Sequence, residues 1–144
     1  MYIVSACLLG INCKYSGGNN KCEKVLDFLE DKEYIAVCPE KAGGLSVPRD
    51  PAERINDLVI SNKGRDVTKE YNDGAIISFE NAISFSKELG EEIEGAILKA
   101  NSPSCGVGEI YDGTFSGILI EGNGVFTDKL LKYGIDVKTE KEFK

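Results

Sequence analysis

Three short apolar runs, each about one strand long, constrain this chain most. They are Tyr-Ile-Val-Ser-Ala at 2–6, Tyr-Ile-Ala-Val at 34–37 and Gly-Ala-Ile-Leu-Lys at 95–99. The first and second lack the strict polar alternation that would leave one face in water. They read as strands of a parallel sheet buried on both faces. Parallel neighbours need a long crossover, usually helical. Residues 21–31 supply one, with Cys22, Val25, Leu26 and Leu29 at helical spacing. The expected fold is α/β: one domain over 1–144, an open, mostly parallel sheet with helices on both faces, Rossmann-like. A chain of 144 residues can bury a real core, and 42% hydrophobic with 28% charged residues excludes disorder, collagen and coiled coil.

The rest of the pattern fits this frame. Residues 11–21 read as a loop, and 41–56, with Gly43, Gly44, Pro48 and Pro51, as a long ordered one. Residues 57–61 read as a strand, 62–64 as a turn and 65–67 as a short returning strand. Thr68 is a candidate N-cap for a helix to about Leu89, stopped by Gly90. Residues 107–124 are Gly-rich, 126–133 read as a helix closed by Gly134, and 135–137 as a last strand.

Composition narrows the function. The net charge of −7 argues against a duplex nucleic-acid partner while leaving room for a small anion in a local basic pocket. No apolar run is long enough to span a membrane, and the apolar start reaches Cys7 and Gly10 too soon for a signal peptide. The chain has five Cys and no His. The missing His removes Ser-His-Asp triads, Cys-His proteases and mixed Cys/His zinc sites. An odd Cys count with no export signal points to a reducing, cytoplasmic setting rather than a disulfide framework.

Three Cys share one address. Cys7 follows the first strand, Cys38 the second, and Cys105 lies six residues beyond the third. The carboxyl ends of parallel strands share one edge, where ligands bind, so these thiols are expected to converge. Cys38 sits in Cys-Pro-Glu and Cys105 in Ser-Pro-Ser-Cys-Gly, stiff loops suited to holding a ligand. Spacing alone leaves zinc, an iron–sulfur cluster and metal-free thiol chemistry in competition.

Several stretches, taken in order, resemble a known family. They are Ser-Ala-Cys-Leu-Leu-Gly at 5–10, Cys13-Lys14-Tyr15, Cys38-Pro39-Glu40, Gly43-Gly44-Leu45 and Pro48-Arg49. Gly-Arg-Asp-Val-Thr at 64–68, Ser-Pro-Ser-Cys-Gly at 102–106 and Tyr-Asp-Gly-Thr-Phe-Ser-Gly at 111–117 follow. Together they are similar to the thiouracil desulfidases, once catalogued as a domain of unknown function. The resemblance implies a [4Fe-4S] cluster held by only three thiolates, on Cys7, Cys38 and Cys105, with one iron open to the substrate's sulfur. It implies a thionucleobase or nucleotide substrate, such as 4-thio-UMP, converted to the uracil compound and sulfide. It places Glu40 and Ser102 where the family has residues assisting the chemistry. The cluster could be lost from protein isolated in air.

The residues agree with that picture. A thiocarbonyl sulfur is soft, and a thiophilic iron polarises its bond to carbon. With no His, a carboxylate such as Glu40 is a reasonable base for the attacking water, with Ser102 handing on a proton. A substrate phosphate would need positive charge. Lys14, Arg49, Arg65 and Lys99 are candidates, with Arg49, fixed after Pro48, the best of them. Lys14, Arg49 and Ser104 form the candidate substrate-binding set. Lys14 stands where the family often has Arg, and Ser16 where it often has an acid, so substrate preference can differ. Cys13 also matches a family Cys, as ligand, neighbour or sulfur acceptor. Cys22 falls outside the motifs and reads as packing or surface. Two other readings compete: a metal-free thiol oxidoreductase or sulfur carrier, and a non-enzymatic nucleotide-binding domain bearing a metal or cluster. The lack of a CxxC pair counts against the first.

Overall fold

The computed structural model describes residues 1–143. Strands β1 (Tyr2–Ser5), β2 (Tyr34–Val37), β5 (Gly95–Leu98) and β8 (Val137–Thr139) form one sheet, in the order β2-β1-β5-β8. Every neighbour in it is parallel. The pleat sends Ile3, Ala96 and Leu98 to one face, against α3 (Thr68–Leu89) and α4 (Val125–Lys132). It sends Val4 and Ile97 to the other, against Val25 and Leu29 of α1 (Glu23–Leu29). Helices therefore cover both faces, as the unbroken apolar runs require. Phe126 and Leu130 of α4 are fully buried, and each contributes roughly 1.5–3 kcal/mol of apolar burial. Among the described residues no helix is long and apolar enough to cross a membrane.

The chain leaves β1 for β2 on one side and returns to β5 on the other. Strand order thus reverses at β1, and the crevice beyond the carboxyl ends of β1 and β5 is the switch point where such sheets bind ligands.

Two small antiparallel hairpins stand over that edge. One pairs β3 (Ala52–Ile55) with β4 (Leu58–Ser61), the other β6 (Glu109–Tyr111) with β7 (Leu119–Glu121). The first corrects the sequence reading, and the second lies in the Gly-rich 107–124 segment, to which the sequence reading assigned no strand. Residues 41–56 are not a plain loop: they hold the end of a one-turn helix, α2 (Pro39–Ala42), and then β3. β4 pairs with β3 rather than with 65–67. That segment makes only an isolated Ile60–Asp66 bridge, because the chain turns into α3 at Thr68. Thr68 is the first residue of α3, not its cap. The Asp66 carboxylate accepts the Thr68 N–H at 2.9 Å, and Gly90 closes the helix in the left-handed conformation at φ 67. The last strand starts two residues later than expected, since the Ile135 N–H still closes α4 on the Leu130 carbonyl at 3.0 Å.

Helix α2 lies directly on α3. A Cβ at Gly74 would overlap the Pro39 carbonyl oxygen, and one at Gly43 would overlap that of Glu70. Only glycine permits this approach, and it fixes the helix that carries Glu40.

Candidate active site

The carboxyl edge of the sheet opens into a cavity of about 530 Å³, within the range of small-molecule sites. Cys7, Cys38 and Cys105 all line it, together with Cys13. Parallel register brings the first two together: Ser5 sits opposite Val37, so both chains leave the sheet side by side. Cys7 lies in a 3-10 turn at Ala6–Leu9, whose carbonyls are stitched to the Asn20 and Cys22 N–H groups, each at 2.9 Å. Cys38 caps α2, with Pro39 as its first residue. Cys105 belongs to a loop gripped by the start of α4, where the Val125 and Phe126 N–H groups donate to the Pro103 and Ser104 carbonyls, both at 2.9 Å. These are the orphan donors of a helix start, used here to hold a loop. Thr127 Oγ1 adds a bond to the Cys105 carbonyl at 2.9 Å.

All five Cys are free thiols. Burial, and then the nearby Glu40 charge, push the Cys105 thiol well above its usual range. Burial also raises Cys7, against a hydrogen bond from Asn20. Cys38 differs. As a thiol it donates to the Cys13 carbonyl at 3.8 Å, and as a thiolate it accepts from the Cys13 thiol, which lowers it to about 7 despite burial. Cys13 is raised by the same pairing. Cys22 lies away from the cavity, half-buried at the start of α1.

Glu40 lines the cavity. Its Oε1 accepts from Ser104 Oγ at 2.9 Å, and Ser104 Oγ lies 3.0 Å from Ser102 Oγ. Ser102 Oγ in turn accepts the Ser104 and Cys105 N–H groups at 3.2 and 3.1 Å. With those lone pairs engaged, the Ser102 proton points to Ser104 and the Ser104 proton to Glu40. The three side chains form one hydrogen-bonded line from the cavity to a carboxylate. Ser104 itself is 1% exposed, lies outside the cavity lining and sits within 3.4 Å of Cys105 Sγ, so the structure places it behind the wall rather than in the substrate-binding set expected from the sequence.

Arg49 lines the cavity, 3.7 Å from Glu40 Oε2, with its N–H anchored on the Tyr15 carbonyl at 2.8 Å. Lys14 and Lys99 also line it, and Lys99 is paired with Glu140 at 2.8 Å. Arg65 does not. It lies in a neighbouring depression, 70% exposed and paired with Glu70, so the expectation that it borders the crevice fails. The reason is the hairpin: β4 pairs with β3 and carries the 62–64 turn away from the sheet edge.

Sequence reasoning missed Ser5, Tyr71 and Glu53. Ser5 Oγ accepts the Lys99 N–H at 3.0 Å and donates to Cys105 Sγ at 3.5 Å, tying β1 to β5 beneath a thiol. Tyr71 is buried on the cavity wall, and burial lifts its phenol well above the ordinary value. Its signal was available, since Tyr71, Ala75, Ser78 and Ala82 form one buried stripe on α3. Glu53 carried no local signal, because its partners lie about sixty residues on.

Among the described residues no three Cys, Asp or Glu side chains converge tightly enough for one metal ion. That disfavours a mononuclear zinc site. A cluster makes a different demand, because its thiolates bind separate irons around a cube and so stand apart. Three free thiols on one wall of a roomy cavity, with no His beside them, fit that donor set.

Comparison with known proteins agrees with this geometry. The uncharacterized protein YbbK of Bacillus subtilis (strain 168) is 40% identical, over 99% of this chain and 97% of its own. The solved structure of the [4Fe-4S]-dependent thiouracil desulfidase TudS is 43% identical and superposes with a TM-score of 0.84, covering 98% of this chain and 91% of that one. The sequence profile of 2-thiouracil desulfurase matches residues 2–142. The chain belongs to the 2-thiouracil desulfurase family.

Proposed function

We propose that residues 1–144 act as one α/β domain catalysing [4Fe-4S]-dependent desulfuration of thiouracil compounds, with 4-thio-UMP as a substrate. The observation that carries this reading is the convergence of Cys7, Cys38 and Cys105 on one cavity beside the Ser102–Ser104–Glu40 line. Membership of the family and the likeness to TudS support it. Cys7, Cys38 and Cys105 are assigned as the cluster ligands. When bound, such a cluster supplies an open, thiophilic iron that takes the substrate's sulfur.

The protein's own groups do the rest. Glu40 takes the proton of the water that attacks the thiocarbonyl carbon, the role left to a carboxylate in a chain without His. Ser102 faces the cavity and exchanges a proton with Glu40 through Ser104. Arg49, with its planar fork, and Lys14 receive the substrate's phosphate. Cys13, buried next to Cys38, is assigned as a neighbour of the cluster rather than a ligand. The absence of duplex nucleic acid and a cytoplasmic location complete the reading.

The test is anaerobic reconstitution followed by iron and acid-labile sulfide analysis of the wild type and of Cys7→Ala, Cys38→Ala and Cys105→Ala. About four of each per chain is expected in the wild type, lost in every variant, with sulfide released from 4-thio-UMP by the wild type alone. Iron that ignores these substitutions, or a loaded protein that releases no sulfide, would overturn the reading.

A further inference from the structure

Among the described residues, three besides glycine have left-handed backbone: Asn56, Asn101 and Phe115. Asn tolerates that region, whereas a bulky aromatic residue does so rarely. Phe115 holds φ 57, lines the cavity that the cysteines line, and leaves 39% of its surface exposed. Burial of its own ring therefore does not explain the conformation.

The conformation is enforced from below. Glu53 on β3 is only 8% exposed, and its Oε1 accepts the Gly113 N–H at 2.9 Å and the Phe115 N–H at 3.1 Å. A carboxylate is tolerated at such a depth where donors meet it, as here. Gly113 presses on the Ile55 side chain, which a Cβ there would overlap, so the loop sits flush on β3. β3 is tied onward to α4, since Arg54 Nη1 reaches the Asn123 carbonyl at 2.6 Å and Asp128 at 2.7 Å. A strained, half-exposed aromatic held this firmly at the mouth of a site points to function.

We propose that Phe115 is the platform on which the substrate's pyrimidine ring stacks, and that Glu53 is the positioning residue that holds it there. This rests on the thionucleobase reading above. The ring face is the largest apolar surface of such a substrate, and an aromatic side chain takes it whatever the exocyclic atom. The platform selects flat heterocycles over acyclic thiocarbonyl compounds such as thiourea. Tyr15 and Tyr111 line the same cavity, but neither has an imposed left-handed backbone.

The experiment uses cluster-loaded wild type, Phe115→Leu, Phe115→Tyr and Glu53→Ala. It reads kcat and KM for 4-thio-UMP, calorimetric affinity for uridine 5′-monophosphate, and melting temperature. Uridine 5′-monophosphate has no sulfur, so it reports ring and phosphate binding without any contact to iron, and the difference between wild type and Phe115→Leu isolates the ring. Phe115→Leu should raise KM and weaken uridine 5′-monophosphate binding roughly 5- to 100-fold, the span of one base–aromatic stack. Its kcat should stay near wild type, and Phe115→Tyr should restore both values. Glu53→Ala should move KM the same way and also lower the melting temperature. Unchanged KM and affinity in Phe115→Leu, or failure of Phe115→Tyr to restore them, would overturn the platform. If the wild type releases no sulfide, the desulfidase reading falls instead, and uridine 5′-monophosphate affinity in Phe115→Leu alone decides the platform.

Discussion

Ser104 shows how much chemistry one buried hydroxyl can carry. It reaches Glu40, Ser102 and the Cys105 sulfur at 2.9, 3.0 and 3.4 Å. Ser104→Ala should cut the line between Ser102 and Glu40 while leaving all three thiols in place. The expected result is a fall in kcat of about 10²-fold, the low end of what positioned proton transfer contributes, with KM and iron content near wild type. Pre-steady-state sulfide release on iron-matched samples checks this, and a parallel loss of iron would instead mark Ser104 as a structural support. At this scale the sequence was legible only in part. Cys7 and Cys38 were found because each ends an apolar run. Glu40 was singled out by the lack of His together with the family motif. Ser5 and Glu53 were not found, because each acts across the fold: Ser5 on Cys105, Glu53 on the 113–115 loop.

Elements differ in how they are specified. β1, β2, β5 and α3 follow from run length, helical period and the Gly90 stop, all local signals. α2, β3 and the β6–β7 hairpin do not, because their stability comes from partners distant in sequence. Helix α2 is the clearest case: four residues are too few to be helical alone, and its seat on α3 is made by Gly43 and Gly74. Gly74→Ala should therefore act on the site as well as on the fold. The added methyl collides with the Pro39 carbonyl, so a loss of about 1–3 kcal/mol is expected, the usual cost of overpacking. Glu40 and Cys38 ride on the displaced element, so iron retention should fall with it. Denaturant unfolding of the metal-free protein, paired with iron content after reconstitution, measures both. A stability loss with full iron retention would mean that α2 can shift without moving its side chains.

Across the whole molecule, the two cores on either face of the sheet are built mainly from aliphatic and aromatic side chains. Ile3, Leu98, Phe126 and Leu130 pack one side, and Val4, Leu8, Val25 and Ile97 the other. Phe126 and Leu130 are fully buried. Chelation should therefore leave far-UV circular dichroism and a cooperative melt intact while abolishing sulfide release, unlike small zinc domains that unfold without metal. Loss of the cooperative melt on chelation would show that the cluster holds the sheet edge together. The spread of the proposed ligands also bears on when the site is complete. The three thiols stand 31 and 67 residues apart along the chain, at positions 7, 38 and 105, and meet only once β1, β2 and β5 are aligned. Cys7 and Cys38 sit at the ends of neighbouring strands, and the third thiol joins them only when β5 pairs with β1. Loading of a three-thiol site would therefore follow the pairing of β5 with β1.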